Sequence, residues 1–374
     1  MSETKKEEQM ATSSSYVDGT KGILIYRGYD IRDLGPNATF EEVVYLLWND
    51  ALPNERELAT FKAAMDSKRA LPSRLLDIMR EFPTHSHPMS VLRTAVSALG
   101  IIDPDADNIT PDGARDKALY LTSIMPTIVA AWERIRNGNE PIAPRSDLSQ
   151  AANFLYMLDG KEPDPHAVRA LDSYLVMLAD HGFNASTFAA RVTTSTGTDF
   201  YSAITSAIGT LKGPAHGGAT QRAMEQFIAA AGRGDVAAWF REARESGKRI
   251  MGIGHRIYKV EDPRAGILRP LTRKLAESSG TSQWFDIAHE IELLARADEY
   301  FIERDLYPNV DYYSAVMLYT LGMPIDQFTC FFATSRIAGW CSQVLEQLAD
   351  NRLIRPKEGY VGKFNQVYVP LSER

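Results

Sequence analysis

Apolar residues along this chain recur every three to four positions, the spacing that places them on one face of an α-helix. A capping box of Thr39 and Glu42 opens one such segment, and Asn54 with Glu57 opens the next. The first segment carries an apolar stripe of Phe40, Val43, Val44, Leu47 and Trp48. The pattern therefore predicts a chain built mostly from helices.

Strand patterns are sparse by comparison. Ile23–Tyr26 and Val367–Val369 are short runs rich in β-branched and aromatic residues, and we expect both to be strands. Asp164 followed by Pro165 marks a further helix start, because proline suits the first helical position. The predicted fold class is mostly all-α, with very little strand.

The organisation of the chain predicts two lobes. His216 and Asp311, which are introduced as candidate site residues below, are far apart in sequence, and a cleft between lobes is where such residues can meet. Glycine-containing breaks at 232–234 and 278–280 favour a smaller helical lobe inserted in a larger one. We expect a disordered polar tail at 1–15, a large helical domain formed by 16–217 and 323–374, and a small helical domain at 218–322.

Composition excludes some classes of protein but does not indicate a particular function. Hydrophobic residues make up 44% of the 374 residues and charged residues 24%, a balance typical of globular domains. With a formal net charge of −7, nothing in the overall charge favours nucleic acid or an anionic membrane. No apolar run approaches the ~20 residues needed to span a bilayer. We therefore expect neither nucleic acid nor a membrane as a partner.

The N-terminus and the cysteines indicate the compartment. Met1–Gln9 is polar and lacks the apolar core of a signal peptide. Cys330 and Cys341 fall on one predicted helix, where a rise of ~1.5 Å per residue separates them by ~16 Å, too far for a disulfide. Both observations predict a reducing, cytoplasmic setting.

Three short segments place an ionisable side chain beside glycine or proline, where the chain turns and a side chain can face a cleft. They are 213–218 with His216, 252–264 with His255, and 307–311 with Asp311. Two imidazoles and a carboxylate are the groups needed to move a proton off carbon and to stabilise the oxyanion that results. Structural interpretations compete: a helix cap for His216 and for Asp311, and a solvated basic turn around His255.

Several other ionisable residues are weaker candidates. Arg336 falls within an apolar predicted helix at 331–340, and because arginine is rarely buried without an anion, a carboxylate ligand is favoured over a structural salt bridge. His181 could be a plain helix cap, and Arg355, before Pro356, is weak alone. The loop of His255 also carries three cations, Arg256, Lys259 and Arg264.

These residues permit two chemistries. Histidines with an aspartate could bind zinc, but no local histidine pair of the His-x-x-x-His kind exists, and arginines gathered around a metal would repel it. Arginines around a small dicarboxylate make better electrostatic sense, with the histidines polarising carbonyl groups. We therefore expect no metal site.

The three segments, in this order, resemble the citrate synthase family. The resemblance includes a stretch Gly-x-Gly-His-Arg-x-Tyr-Lys at 252–259 with Asp-Pro-Arg at 262–264, and it also covers 180–187, 335–340 and 355–362. It runs from about Tyr16 to the C-terminus, and the length is similar to the short bacterial and archaeal type. The resemblance implies a two-lobed helical fold and a homodimer, with no permanently bound cofactor and with acetyl-CoA as co-substrate.

The same resemblance implies a role for each catalytic candidate. Asp311 would be the base that removes a methyl proton from the acyl-CoA thioester. His216 would hydrogen-bond the thioester oxygen as it becomes an enol or enolate. His255 would polarise the oxaloacetate ketone and protonate it as the new bond forms, after which hydrolysis of the citryl thioester releases citrate and CoA.

Binding roles follow from the resemblance as well. Arg264 and Arg336, with His181, would hold the carboxylates of oxaloacetate. Arg355 would reach the site of the partner subunit. Arg256 and Lys259 are our candidates for the CoA phosphates, because these phosphates need local cations in an acidic protein.

The chain departs from the family at four places. Met1–Gln9 replaces the usual Gly-Leu-x-Gly-Val opening, Thr220 stands where asparagine is frequent, and Cys330 stands where proline is frequent. Ala315 replaces a common glycine, a change also seen in 2-methylcitrate synthases, which use propionyl-CoA. A 2-methylcitrate synthase is therefore the alternative function, and a non-catalytic homologue that binds ligand or assembles with itself is a more distant one.

Overall fold

The computed structural model describes residues 10–374, and helices dominate it, as predicted. The first ten helices are α1 (Ile31–Asn37), α2 (Phe40–Asn49), α3 (Glu55–Asp66), α4 (Ser73–Arg80), α5 (Pro88–Ile102), α6 (Pro111–Arg136), α7 (Gln150–Asp159), α8 (Pro165–Leu178), α9 (Ala185–Ser195) and α10 (Phe200–Leu211). The remaining ones are α11 (Ala219–Arg233), α12 (Val236–Glu245), α13 (Pro263–Ser279), α14 (Ser282–Ala297), α15 (Glu299–Ile302), α16 (Val310–Thr320) and α17 (Phe328–Ala349). Short 3-10 helices cover Ile325–Gln327 and Leu371–Glu373.

The helix starts read from the sequence are confirmed. Thr39 and Glu42 form a reciprocal capping box at α2, and Asn54 does the same with Glu57 at α3. The Asp164 side chain accepts two backbone N–H groups at the start of α8, with proline at the first helical position. These contacts are local, which is why the sequence alone could predict them.

Strand prediction was less accurate. One antiparallel sheet forms from β1 (Ser15–Asp18), β2 (Ile23–Tyr26) and β3 (Tyr29–Asp30), in the order β1-β2-β3. The prediction for Ile23–Tyr26 is confirmed, whereas β1 and β3 were missed because they carry few apolar residues. The strand predicted at Val367–Val369 is wrong. That segment is exposed and has no neighbouring strand to pair with in the described chain.

Two groups of helices carry the core. The long buried helix α17 packs against α6, α8 and α9, while α13 and α16 pack on each other and α16 packs on α11. Contacts of α13 with α1 and α8 join the two groups. We propose that they are the large lobe (16–217 with 323–374) and the small lobe (218–322).

The described N-terminal residues are bonded to the body of the protein. Ser13 and Ser14 bond to Glu346 and Ser342 of α17, with Ser14 Oγ 2.7 Å from Ser342 Oγ, and Ser15 Oγ donates to Asp180 at 2.6 Å. These bonds place 13–15 with the folded body, although a disordered tail was expected to include them. Met1–Gln9 lies outside the described residues.

Two further findings bear on the sequence analysis. Cys330 and Cys341 both lie buried on α17 as free thiols, as predicted. Within 10–374, none of the helices combines the length and the apolar character needed to cross a bilayer.

Candidate active site

Helix α17 lies unusually close to the end of α8, and this contact positions two of the candidate residues. Gly339 donates its N–H to the Ala179 carbonyl at 2.9 Å, and a Cβ at this position would lie 2.3 Å from the same oxygen. Glycine is therefore required there, because any side chain would push the two segments apart. The contact places Arg336, one helical turn before Gly339, beside the loop that carries His181.

Arg336 is buried without a carboxylate partner. Its guanidinium makes no ion pair with any described residue; instead Nε donates to the Leu178 carbonyl at 2.6 Å, and the group lies over the Phe332 ring. Burial lowers the pKa of Arg336 to about 10, the cost of holding a cation away from water. The predicted need for an external anion fits this setting, and the competing structural salt bridge does not form.

Arg264 is held in place by a neighbouring carboxylate. Its Nε and Nη2 donate to the two oxygens of Asp262 at 3.0 and 2.8 Å, and both side chains are buried. Burial alone would raise the pKa of Asp262, but the Arg264 charge outweighs it and the pKa is lowered. Asp262 also accepts the N–H of Val310 at 3.2 Å, which ties the start of α13 to the start of α16.

The segments of His255 and Asp311 are joined through their backbones. Gly254 N–H donates to the Tyr307 carbonyl at 2.7 Å, and Asn309 N–H donates to the Gly252 carbonyl at 2.8 Å. Gly252 and Gly254 have φ values of +78° and +90°, a region that favours glycine. The glycines of this motif therefore serve to pair two site segments.

His255 is held neutral with a defined tautomer. Its Nδ1 accepts the backbone N–H groups of Ile257 and Tyr258 at 3.0 and 3.1 Å, so the ring proton belongs on Nε2. Burial lowers the pKa of His255 to about 4, with a further contribution from the Arg264 charge. The ring is therefore a neutral hydrogen-bond donor at physiological pH.

His216 is also held as a neutral imidazole, through contacts with Ser186. Its Nε2 accepts the Ser186 N–H in the first turn of α9 at 3.3 Å and lies 2.8 Å from Ser186 Oγ. The proton of the neutral ring then belongs on Nδ1. Burial, aided by the Arg336 charge, lowers the pKa of His216 to about 4. The cap interpretation is thus partly right, since the ring does cap α9.

Asp311 lies in the first turn of α16, but it is not the N-cap. That role belongs to Asn309, whose side chain accepts the Asp311 N–H at 2.9 Å. Burial raises the pKa of Asp311, while a hydrogen bond from Thr220 to Oδ1, at 2.5 Å, opposes the rise. The helix-cap alternative for Asp311 is therefore wrong.

His181 lies beside His255 and Tyr258. It is buried, its Nε2 lies 3.1 Å from the Tyr258 hydroxyl, and its ring centroid is 5.7 Å from that of His255. Burial lowers its pKa well below the usual range, and the charges of Arg264 and Arg336 act in the same direction. A neutral His181 can therefore lie beside two arginines without adding a third charge.

Shared electrostatics show that six of the predicted residues converge. The charges of Arg264 and Arg336 both act on the pKa of His181 and of Asp311. Arg264 also acts on His255, and Arg336 on His216. The three imidazole and carboxylate groups expected to react, His216, His255 and Asp311, are partly open to solvent, while the other three are buried.

The remaining predicted residues lie outside this group. Arg256 and Lys259 are exposed beside the His255 loop, where the Lys259 N–H donates to the Gly19 carbonyl at 2.8 Å. Arg355 is exposed in the segment after α17, in a cleft that it shares with Met10 and Phe188. The structure of one chain therefore does not bring Arg355 to the site.

Sequence reasoning missed the residues that orient the reactive groups. They are Ser186 and Trp340 behind His216, Tyr258 beside His181, Asp262 on Arg264, and Thr220 on Asp311. Hydroxyl and indole groups carry little positional signal in a sequence, although Asp262 stood in the Asp-Pro-Arg motif. Across 10–374, no three His, Cys, Asp or Glu side chains gather as a candidate metal-binding group.

The geometry of these candidate residues is suited to removing a proton beside a carbonyl group. Comparison with known proteins agrees. A family model described as "Citrate synthase, C-terminal domain" matches residues 5–357. The chain is 43% identical over 369 residues to Citrate synthase 2 of Bacillus subtilis, with 98% of each chain covered. This chain belongs to the citrate synthase family.

Two further relatives bear on substrate choice. A 2-methylcitrate synthase of Mycobacterium tuberculosis is 39% identical over 356 residues, covering 95% of this chain and 89% of that one. The citrate synthase of Thermoplasma acidophilum, solved as a ternary complex with carboxymethyl coenzyme A and oxaloacetate, superposes with a TM-score of 0.91 at 33% identity. That match covers 98% of this chain and 97% of the other. The resemblance seen in the sequence is therefore confirmed.

Proposed function

We propose that this enzyme condenses acetyl-CoA with oxaloacetate and hydrolyses the resulting citryl thioester to citrate and CoA. The observation that carries the proposal is the matched state of His216 and His255. In each ring, one nitrogen accepts a backbone N–H, which leaves the N–H of the other nitrogen available as a donor. Two neutral donors beside one carboxylate suit a reaction that forms one enolate and consumes one ketone.

In the first step, Asp311 takes a proton from the methyl carbon of the thioester. Such a proton is far too weakly acidic for a free carboxylate, so stabilisation of the oxyanion has to supply much of the barrier reduction. His216 supplies it by donating Nδ1–H to the thioester oxygen. The partial exposure of residue Asp311 and the raised pKa of its carboxyl group support the role of base.

In the second step, the enolate carbon attacks the ketone carbon of oxaloacetate. His255 donates Nε2–H to the ketone oxygen and passes the proton to it as the new bond forms, and the ring regains a proton from the water that then attacks the thioester. Water then cleaves the citryl thioester, which releases CoA and citrate. Closure of the two lobes over oxaloacetate would exclude water until condensation is complete.

The two guanidiniums account for the dicarboxylate. Arg336 has no carboxylate partner within the described chain, and Asp262 leaves Nη1 of Arg264 free of its two bonds. We assign both groups, with His181, to the carboxylates of oxaloacetate. A carboxylate bound to Arg336 would compensate the buried charge. Because the cation is already removed from water in the folded protein, its desolvation does not weaken binding of the carboxylate.

Binding of CoA requires cations at the mouth of the site. Arg256 and Lys259 are exposed on the loop that begins at His255, and both can reach a ligand that enters from solvent. We assign them to the CoA phosphates. No bound cofactor or metal enters any of these steps; acetyl-CoA is a substrate.

We further propose that the enzyme is a homodimer whose site is completed by Arg355 of the partner. Apart from the half-buried Ile354, the segment after α17 is exposed, with Val361, Phe364 and Val367 exposed by 99, 69 and 85%. A single chain therefore leaves several large apolar side chains of this segment in water, and a second copy is the natural cover. The buried free thiols support a cytoplasmic location.

A 2-methylcitrate synthase is the second candidate. Ala315 is fully buried on α16, four residues after Asp311, and the similar enzyme from Mycobacterium tuberculosis carries that name. One methylene in an apolar pocket discriminates by only ~1–3 kcal/mol, so we expect overlapping activities.

The test is release of CoA from purified protein given oxaloacetate, with acetyl-CoA and propionyl-CoA in parallel. A higher kcat/KM for acetyl-CoA supports the first proposal, and a preference for propionyl-CoA supports the second. Release from neither substrate by folded protein would refute both and favour a non-catalytic homologue.

A further inference from the structure

The carboxylate of Asp311 is held at one oxygen by a residue that sequence analysis noted only as a departure. Thr220 is the second residue of α11, and its side chain is 2% exposed. Its Oγ1 donates to Asp311 Oδ1 at 2.5 Å. The two residues are 91 positions apart, so the contact joins α11 to α16.

The two carboxylate oxygens are consequently not equivalent. Oδ1 is occupied by the threonine hydroxyl, whereas no residue in 10–374 donates a hydrogen bond to Oδ2. A hydrogen bond from hydroxyl to carboxylate is short and strong compared with neutral pairs, and it restricts rotation of the carboxylate. Oδ2 is therefore the oxygen left to take a proton from a substrate.

Thr220 also links the base to the oxyanion donor. It follows His216 by four residues, and the intervening turn is braced by bonds from Thr329 Oγ1 to the Gly217 carbonyl and from Arg222 to the Gly218 and Pro214 carbonyls. The stretch that positions the imidazole of His216 thus also supplies the hydroxyl that fixes the carboxylate. A fixed distance between these two groups is what proton removal with concerted oxyanion stabilisation requires.

We propose that Thr220 is a positioning residue that orients the Asp311 carboxylate so that Oδ2 faces the substrate methyl group. The role rests on the proposed function, in which Asp311 is the base. Thr220 touches neither substrate, and it acts through the aspartate. Asparagine, frequent at this place in the family, could also donate a hydrogen bond, but the shorter threonine hydroxyl does so here without an amide that rotates.

The hydroxyl also favours the ionised base. A donor on Oδ1 stabilises the carboxylate and opposes the rise in pKa that burial causes. Removing the donor should raise the pKa of Asp311 further, so the base would be protonated, and inactive, up to a higher pH. The acid limb of the pH profile of kcat then moves to higher pH.

The experiment compares Thr220→Val, which keeps the shape and loses the hydroxyl, with Thr220→Ser, which keeps the hydroxyl. The matched control is Thr194→Val, because Thr194 is equally buried and its Oγ1 donates only to the Ala190 carbonyl of its own helix, α9. For each variant, kcat and KM are measured from pH 5 to 9, and oxaloacetate binding is measured by calorimetry.

For Thr220→Val we expect kcat on the plateau to fall about tenfold, the typical effect of losing one hydrogen bond to a charged group. Its acid limb should move to higher pH, while oxaloacetate affinity stays at the wild-type value. Thr220→Ser and Thr194→Val should keep the wild-type limb and plateau.

Three results would overturn the role. A Thr220→Val enzyme with unchanged plateau and limb would show that the hydroxyl is not needed. Equal losses in Thr220→Val and Thr220→Ser without a shifted limb would indicate packing alone. If the wild-type protein released no CoA, the proposed function would fail first, and this role with it.

Discussion

The cleft around Asp311 and the segment after α17 differ in how much of their bonding is supplied by one chain. In the cleft, each imidazole and carboxylate has a specific partner, such as Ser186 for His216 and Thr220 for Asp311. The segment 350–374 forms no helix or strand longer than a 3-10 turn, and its apolar side chains face water.

This difference separates two kinds of functional residue. A group that must react has to be oriented before the substrate arrives, so its partners belong to its own fold. A group that only completes the binding of an anion can come from another chain. Arg355 is of the second kind in our account, and its exposure in one chain is what that role requires.

The largest effect is expected inside the cleft. Asp311→Ala removes the base and should lower kcat by ~10²–10⁴, the usual contribution of a positioned acid or base. Oxaloacetate should still bind, because its carboxylates contact the arginines. The control is Asp286→Ala, which removes an exposed carboxylate from α14. Turnover near the wild-type rate in Asp311→Ala would remove the base role.

The next effect belongs to the C-terminal segment. Arg355→Ala should weaken oxaloacetate binding by about 10–100-fold, because a hydrogen bond between charged groups is lost. Calorimetric titration with oxaloacetate measures it. Lys357→Ala, which removes an exposed cation two residues away, should bind normally. An unchanged affinity in Arg355→Ala would refute its assignment to the dicarboxylate.

A smaller effect should follow from loosening one partner in the cleft. Ser186→Ala removes the hydroxyl that lies 2.8 Å from His216 Nε2 and accepts the Trp340 indole N–H, but it keeps the backbone donor. We expect kcat to fall about tenfold with little change in oxaloacetate affinity. Ser278→Ala, whose hydroxyl bonds only its own helix, is the control. A fall in binding without a fall in kcat would contradict the role of Ser186.

The smallest effect concerns stability and pH. The pKa of His255 is lowered to about 4 in the folded state, so the unfolded chain binds a proton more readily. Stability supplied by the neutral ring is therefore present above about pH 6.5 and is lost as the pH falls towards 4. Over this pH range, the free energy of unfolding of the wild type should therefore fall by about 1–3 kcal/mol more than that of His255→Gln, which has no imidazole to protonate. Parallel urea titrations at each pH measure it, and identical pH dependence would contradict the neutral assignment.

The sequence predicted most of the fold and supplied the candidate site residues, because the signals for both are local. Capping boxes such as Thr39 with Glu42 are local, and the ionisable candidates stood beside glycine or proline. Thr220 and Ser186 could not be assigned, because their contacts join segments 91 and 30 residues apart and hydroxyls have no distinctive pattern. Val367–Val369 was mistaken for a strand because a β-rich composition does not reveal whether a pairing partner exists.

In the proposed enzyme, catalysis takes place in a cleft built by one chain and completed by Arg355 of a second. Mixing the Asp311→Ala and Arg355→Ala proteins, after dissociation and reassociation, tests it directly. In a mixed dimer, one cleft would hold an intact Asp311 together with the intact Arg355 of the partner. With oxaloacetate held near the wild-type KM, where weak binding leaves Arg355→Ala nearly inactive, we predict recovery of about a quarter of wild-type CoA release, since half of the dimers are mixed and one cleft in each is complete. Activity no greater than the average of the two parent proteins would contradict the claim.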